Sequence, residues 1–192
     1  MIIVEKNADV IVQLLYAAGK NPYVRSKHIN VFLPFADSEN KYIRLAAVSA
    51  LSNIDDLRAI KGLIKLSKDR YACVRDWATF SIGRMSDLDN DEIREALYAR
   101  CTDKHYDTRM EGISGLAKRK DEGVKKYLEK ELTDWTPYVF DSIRDLDAKE
   151  YLPRLEALLE EVESDPENPP GLYWLSHLKE CIETLRCCPR DS

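Results

Sequence analysis

The chain has 192 residues, 44% hydrophobic and 33% charged, with only seven Gly and eight Pro, a balance that fits a folded globular protein and excludes collagen-like and disordered classes. No apolar run is long enough to span a bilayer, and the opening Met1-Ile2-Ile3-Val4 meets Glu5 and Lys6 at once, so a cytoplasmic location is expected. The net charge of −5 is uneven: residues 133–192 hold fourteen acids against six bases, net −8, leaving +3 for residues 1–132, a distribution that disfavours nucleic acid and suits a basic partner.

In chain order, residues 8–18 and 22–35 predict an N-terminal hairpin of two helices, split by Gly19-Lys20-Asn21-Pro22, where Pro22 suits the first turn of a helix. A repeat follows. The segments Arg44-Leu-Ala-Ala-Val-Ser-Ala-Leu51, Arg75-Asp-Trp-Ala-Thr-Phe-Ser-Ile82 and Arg109-Met-Glu-Gly-Ile-Ser-Gly-Leu116 align, with their arginines 31 and 34 residues apart. Three and six residues after each Arg comes a small residue (Ala47 and Ala50, Ala78 and Ser81, Gly112 and Gly115). That spacing puts both on one helix face, where a neighbouring backbone can approach closely. A degenerate fourth copy begins thirty residues on, with Val139 in the Arg place, Ser142 in the first small place and Leu146 in the aliphatic place.

Two of the arginines are preceded six residues earlier by an Asp, Asp69 and Asp103, placed to cap the helix start or to pair with the Arg of a neighbouring repeat. Each first helix is followed by a second with apolar residues at helical spacing: Ile60, Leu63 and Ile64; Ile93, Ala96, Leu97 and Cys101; Val124, Tyr127, Leu128 and Leu132; Leu152, Leu155, Leu159 and Val162. Polar breaks at Ser52–Asp55 and Ser86–Asp91 separate the paired helices. Glu163–Gly171 reads as a loop, and Leu175, Leu178, Ile182 and Leu185 mark a last amphipathic helix. No stretch alternates as a strand does. The expected organisation is one domain over residues 1–192: a cap hairpin at 1–36, about four repeats at 37–162, and a loop with a capping helix at 163–192.

The run Asp69–Leu132 resembles the HEAT-like repeats of bacterial proteins once grouped with the phycobilin lyases. The likeness is carried by Val74-Arg75-Asp76-Trp77-Ala78-Thr79-Phe80, Glu92-Ile93-Arg94-Glu95-Ala96-Leu97 and Gly115-Leu116-Ala117-Lys118-Arg119-Lys120-Asp121. It implies an all-α fold, a right-handed α-α superhelix or solenoid of about five to six helical hairpins. From Val74 to Leu159 the chain is also similar to the HEAT-repeat immunity proteins encoded beside Rhs-type toxins in enterobacteria. That similarity implies a bacterial protein that binds and neutralises a cognate toxin; a non-enzymatic chain, monomeric when free, is expected beside it. A generic interaction scaffold or assembly factor is the alternative.

No catalytic or metal-binding pattern competes with this reading. His28, His105 and His177 are far apart and lack a ligand or nucleophile spacing, and the five cysteines, Cys187 and Cys188 adjacent among them, form no zinc pattern and read as reduced thiols. Gly112 and Gly115 fall inside a helix, so no phosphate loop is present. No cofactor, metal, membrane or nucleic acid is expected. A HEAT-like DNA glycosylase, invited by Trp77, Asp134 and Trp135, would need a basic surface that this chain lacks, Trp77 sits in the repeat motif where packing is the simpler role, and a bilin lyase rests on the repeat alone.

The expected partner surface combines outward positions of second helices, Glu95 and Tyr98, with the loop residues Tyr106, Asp134, Trp135 and Tyr138 and the acidic Glu156, Glu160 and Glu161. Trp135 and Tyr138 lead this set, because a buried aromatic hot spot contributes on the order of 2 kcal/mol against about 0–1 for an exposed ion pair. Their competing role is to fill the space where the fourth repeat lacks the small-residue pattern. The carboxylates would mainly speed encounter with a basic toxin.

Overall fold

The computed structural model describes residues 7–165 and 170–187, and among them there are twelve α-helices and no strand. The Met1–Lys6 stretch, part of the Glu163–Gly171 loop and Cys188 fall outside the described residues. The chain divides into two compact units, Met1–Gly115 and Leu116–Ser192.

The first unit begins with α1 (Ala8–Gly19), capped by the Asn7 side chain, and α2 (Pro22–Lys27), capped by Asn21 with Pro22 in its first turn. The expected second helix of this hairpin is interrupted: α2 stops at His28, α3 (Ile29–Phe32) is a single turn, and a 3-10 turn over Leu33–Asp37 follows. Pro34 explains the last change, since it cannot donate to the helical ladder. Two hairpins follow, α4 (Lys41–Leu51) with α5 (Leu57–Leu66) and α6 (Ala72–Gly83) with α7 (Asp91–Tyr98). Asn40, Asp56 and Asn90 cap α4, α5 and α7. Helix α8 (Tyr106–Lys118) begins the next repeat.

The repeat's small positions are where backbones meet. Ala47, Ala50 and Ala78 have no exposed surface, and Ser81 retains 1%. A Cβ added at Gly115 would lie 2.7 Å from the Gly83 Cα, and one at Gly112 would lie 2.9 Å from the Leu97 carbonyl oxygen. Such gaps hold no methyl group, so glycine there serves close helix contact rather than a turn.

The arginines and aspartates join successive repeats. Arg44 grips Asp69 side-on, Nε to Oδ2 at 2.5 Å and Nη2 to Oδ1 at 3.0 Å, while its Nη1 donates to the carbonyls of Ser38 and Glu39. One repeat later Arg75 holds Asp103 at 2.8 and 2.7 Å and donates to the carbonyls of Asp69 and Arg70. The same carboxylates accept the backbone amides of Tyr71 and His105, next to the starts of α6 and α8. Of the two expected roles the inter-repeat pairing is filled; the cap is not, since α6 has Tyr71 at its N-cap with no side-chain cap bond, and each Asp instead closes the turn that leads into the next first helix. The four side chains are 6–16% exposed.

The second unit continues with α9 (Lys125–Glu131), α10 (Pro137–Leu146), α11 (Leu152–Ser164) and α12 (Leu172–Cys187). In the degenerate copy, Val139, Ser142 and Leu146 are buried as their register requires. With a valine in the Arg place, α10 is secured differently, by packing against α12. Phe140 meets the Trp174 ring edge-on at 5.2 Å, and Leu178, Cys181, Ile182 and Leu185 are buried. His177 lies 3.0 Å from Asp141, and Arg144 joins Asp141 and Glu180, each at 3.0 Å. Helices α8 and α10 end in left-handed residues, Lys120 and Asp147 at φ 54° and 52°, whereas α4 ends at an extended Ser52 and the left-handed Asn53, at 54°, belongs to the turn after it.

Three outcomes are expected. Arg44→Ala leaves the Asp69 charge buried and unpaired and should cost about 3–5 kcal/mol in denaturant unfolding. Burial acts to raise the Asp69 and Asp103 pKa values, but the hydrogen bonds from Arg44 and Arg75 and from the backbone amides outweigh it and hold both below the ordinary Asp value. Their contribution is thus complete above the unfolded value near about 3.9 and is lost as pH falls through the folded values, so unfolding followed from pH 6 to pH 2 should weaken chiefly below about pH 4. Gly115→Ala should cost about 1–3 kcal/mol by the same unfolding measurement, because the Gly83 backbone cannot yield without moving a helix.

Candidate partner-binding site

Helix α7 turns Ile93, Ala96 and Leu97 inward, which places Glu95 outward and exposed. Tyr98, at its end, is half-buried, as is Tyr106 at the start of α8, where the Arg109 guanidinium lies 5.4 Å from its ring centre. These three belong to the first unit and the other six expected contacts to the second.

In the second unit, Leu128 and Leu132 anchor α9, and the turn after it carries Asp134, exposed, and Trp135, half-buried. Trp135 stacks on Phe140 at 5.9 Å with ring planes 15° apart, its carbonyl accepts the Trp174 indole N–H, and the Arg154 guanidinium lies 5.2 Å from its ring centre. It therefore fills space beside the degenerate repeat, one of the two roles weighed for it, and has only part of its surface left for a partner. Tyr138 is half-buried on α10. On α11, Leu155 is buried and Glu156 is bound by Arg186 at 2.6 and 2.9 Å. Glu160 and Glu161 point outward, exposed, with no ion pair among the described residues. Glu95 and Asp134 are likewise exposed without an ion pair among the described residues, so these four carboxylates are the available acidic part of the expected surface.

The reactive side chains have structural environments. Burial pushes the Cys181 thiol up to about 12, so it stays protonated and a poor nucleophile. Burial and the nearby Glu129 carboxylate push Tyr151 up to about 12. Asp76 is raised by burial and by the charge of Asp107. No cluster of three metal-ligating side chains forms among the described residues.

One feature escapes sequence reasoning. In the first unit a cavity of about 420 Å³ is lined by Tyr16, Arg25, Val48, Ser49, Trp77 and Met85, among others. Trp77 meets Phe80 edge-on at 5.7 Å yet stays 54% exposed, where the repeat motif predicts a packed residue, although the residues at the same place in the flanking repeats, Ala46 and Glu111, are 0% and 4% exposed. Arg25 is 8% exposed on a six-residue helix too short to show a period.

Hairpins of paired helices, joined through small-residue contacts and an Arg–Asp ladder, define an all-α helical-repeat protein of the solenoid class, a scaffold suited to protein interaction and typically non-catalytic. Comparison with known proteins agrees. Residues 43–69 match the PBS lyase HEAT-like repeat family, one repeat before the segment that carried the resemblance in the sequence. The chain is similar to Protein YibA of Escherichia coli K12 and of Escherichia coli O157:H7, at 34% identity over 142 residues in each, covering 73% of this chain and 50% of YibA. It thus spans about half the length of these curated relatives. The crystal structure of Escherichia coli YibA superposes with a TM-score of 0.76 at 27% identity, over 98% of this chain and 66% of that one. A designed armadillo repeat protein shares the fold, with a TM-score of 0.59 at 15% identity over 96% of this chain and 97% of its own. No helix among the described residues is long and apolar enough to cross a membrane.

The packing of Trp135 yields a prediction. Trp135→Ala should cost about 3–5 kcal/mol in thermal or denaturant unfolding, the scale of an aromatic truncated from a packed cluster, whereas Asp134→Ala should change stability by no more than about 0.5 kcal/mol.

Proposed function

We propose that this protein is an immunity protein that binds and neutralises a cognate bacterial toxin by covering a basic surface of it. The observation that carries this reading is the outward pair Glu160 and Glu161 on α11, exposed and free of ion pairs within a segment of net charge −8. Carboxylates so placed raise the encounter rate with a basic protein and repel nucleic acid. The helical-repeat fold supports the same reading, since stacked hairpins offer long surfaces rather than deep catalytic clefts. The similarity of the run from Val74 to Leu159 to HEAT-repeat immunity proteins makes a toxin the favoured partner.

Glu95, Tyr98 and Tyr106 contribute from the first unit in this reading, and Asp134, Tyr138 and the open part of Trp135 from the second. Affinity would come from the aromatic contacts and selectivity from the acidic ones.

The test asks first whether a toxin domain is encoded beside this gene, and then whether the chain binds that domain and protects against it. The wild-type chain should bind the purified domain in calorimetry and restore growth when the two are expressed together. The Glu160→Lys, Glu161→Lys variant should keep its melting temperature and slow association by tenfold or more at low salt, the difference shrinking as salt is raised. Absence of binding and of protection by the wild-type chain would overturn the toxin reading, and an unchanged association rate in the variant would remove α11 from the surface.

A further inference from the structure

We propose that the cavity of the first unit is a binding site for a carboxylate carried on an apolar body, held by the guanidinium of Arg25. The site goes beyond the toxin reading and needs no toxin for its test.

Arg25 is 8% exposed, lines the cavity, and its side chain has no hydrogen bond or ion pair among the described residues, with Nε buried and unsatisfied. The contrast within the same unit is sharp. Arg44 is equally buried at 7%, yet its guanidinium is satisfied by both oxygens of Asp69 and by two backbone carbonyls. A buried cation without a counter-ion is costly, and native proteins keep one where a ligand supplies the missing charge.

The lining specifies what that ligand is. Ser52 and Ser81 lie 2.6 Å apart at their hydroxyl oxygens, while Ser52 also contacts the Val48 carbonyl and Ser81 the Trp77 carbonyl, so two protons already serve three contacts and neither hydroxyl has one to give. The hydroxyls of Tyr16 and Ser49 hold no bond to another described residue and add neutral donors. Leu45, Val48 and Met85 form apolar walls, and Trp77 offers an open ring at the cavity. One cation with a planar fork matches the single charge and paired oxygens of a carboxylate better than the doubly charged phosphate, which would need further cationic donors. The volume, about 420 Å³, lies near the lower end of small-molecule sites and suits a single residue-sized group. A protein C-terminus ending in an apolar residue and a free medium-chain organic acid share this chemistry.

The test titrates the full chain with three probes in calorimetry: a blocked tripeptide acid ending in Leu, the same peptide as its C-terminal amide, and hexanoate. The peptide acid should bind saturably and the amide at least tenfold more weakly. Binding of hexanoate as well would make free organic acids competent ligands, and binding of the peptide acid alone would assign the site to protein C-termini. Arg25→Gln should abolish binding, and Trp77→Ala, at an exposed position, should weaken it several-fold with the melting temperature unchanged. Arg25→Met should hold or raise the melting temperature of the ligand-free protein, whereas Arg44→Met should lower it. Equal binding of acid and amide, no saturable binding of either acid up to 10 mM, or an Arg25→Met variant destabilised as Arg44→Met is, would each overturn the proposal.

Discussion

The organisation of the first unit depends on one contact made twice, the side-on pairing of a repeat arginine with the aspartate that precedes the next first helix. Because that aspartate also accepts a backbone amide at the start of its own repeat, each Arg–Asp pair ties one hairpin to the beginning of the next. Two further N–H groups of each arginine, both on Nη1, donate to carbonyls five and six residues upstream. The ions are thus buried with their hydrogen bonds filled, the condition under which a buried pair holds a structure together rather than weakening it. Its geometry sets the repeat register, and the glycines and alanines of the first helices then come to lie where backbones touch.

Where the ladder stops, the means of packing change. Val139 occupies the arginine place of the fourth copy, and no guanidinium is available there to reach the next element. The second unit uses an aromatic cluster instead, Trp135, Phe140 and Trp174, with a charged fringe of Asp141, Arg144, His177 and Glu180 along α12. The consequence for function is direct. Trp135 is divided between holding the unit together and meeting a partner, while Asp134 and the α11 carboxylates that lack ion pairs are left freely available on that surface.

The two functional features differ in chemistry. The proposed toxin-facing contacts are outward side chains on regular helices, with charge doing the steering. The proposed carboxylate site in the first unit is concave, with one buried cation, apolar walls and an aromatic residue. A fold of repeated hairpins accommodates both, since each unit's hairpins need only their own small-residue seams intact and leave other positions free to vary.

The repeat, its helices and most of its core were legible in the chain, because a spacing of three and six residues between small side chains is a local signal that survives without knowledge of neighbours. Ala47, Ala78, Gly112 and Leu116 fall inside as that spacing requires, and Asp69 and Asp103 take the inter-repeat pairing, one of the two roles open to them. What the sequence by itself determined is therefore the helical period, the hairpin unit and the charge of each segment. Only the tertiary structure decided that Trp77 stands open while its counterparts Ala46 and Glu111 are buried, that Trp135 is pinned by Phe140 and Trp174, and that Arg25 is enclosed without a partner. The physical reason is that burial of a given side chain depends on which distant helices close around it, and hydrophobic period along one helix carries no record of that.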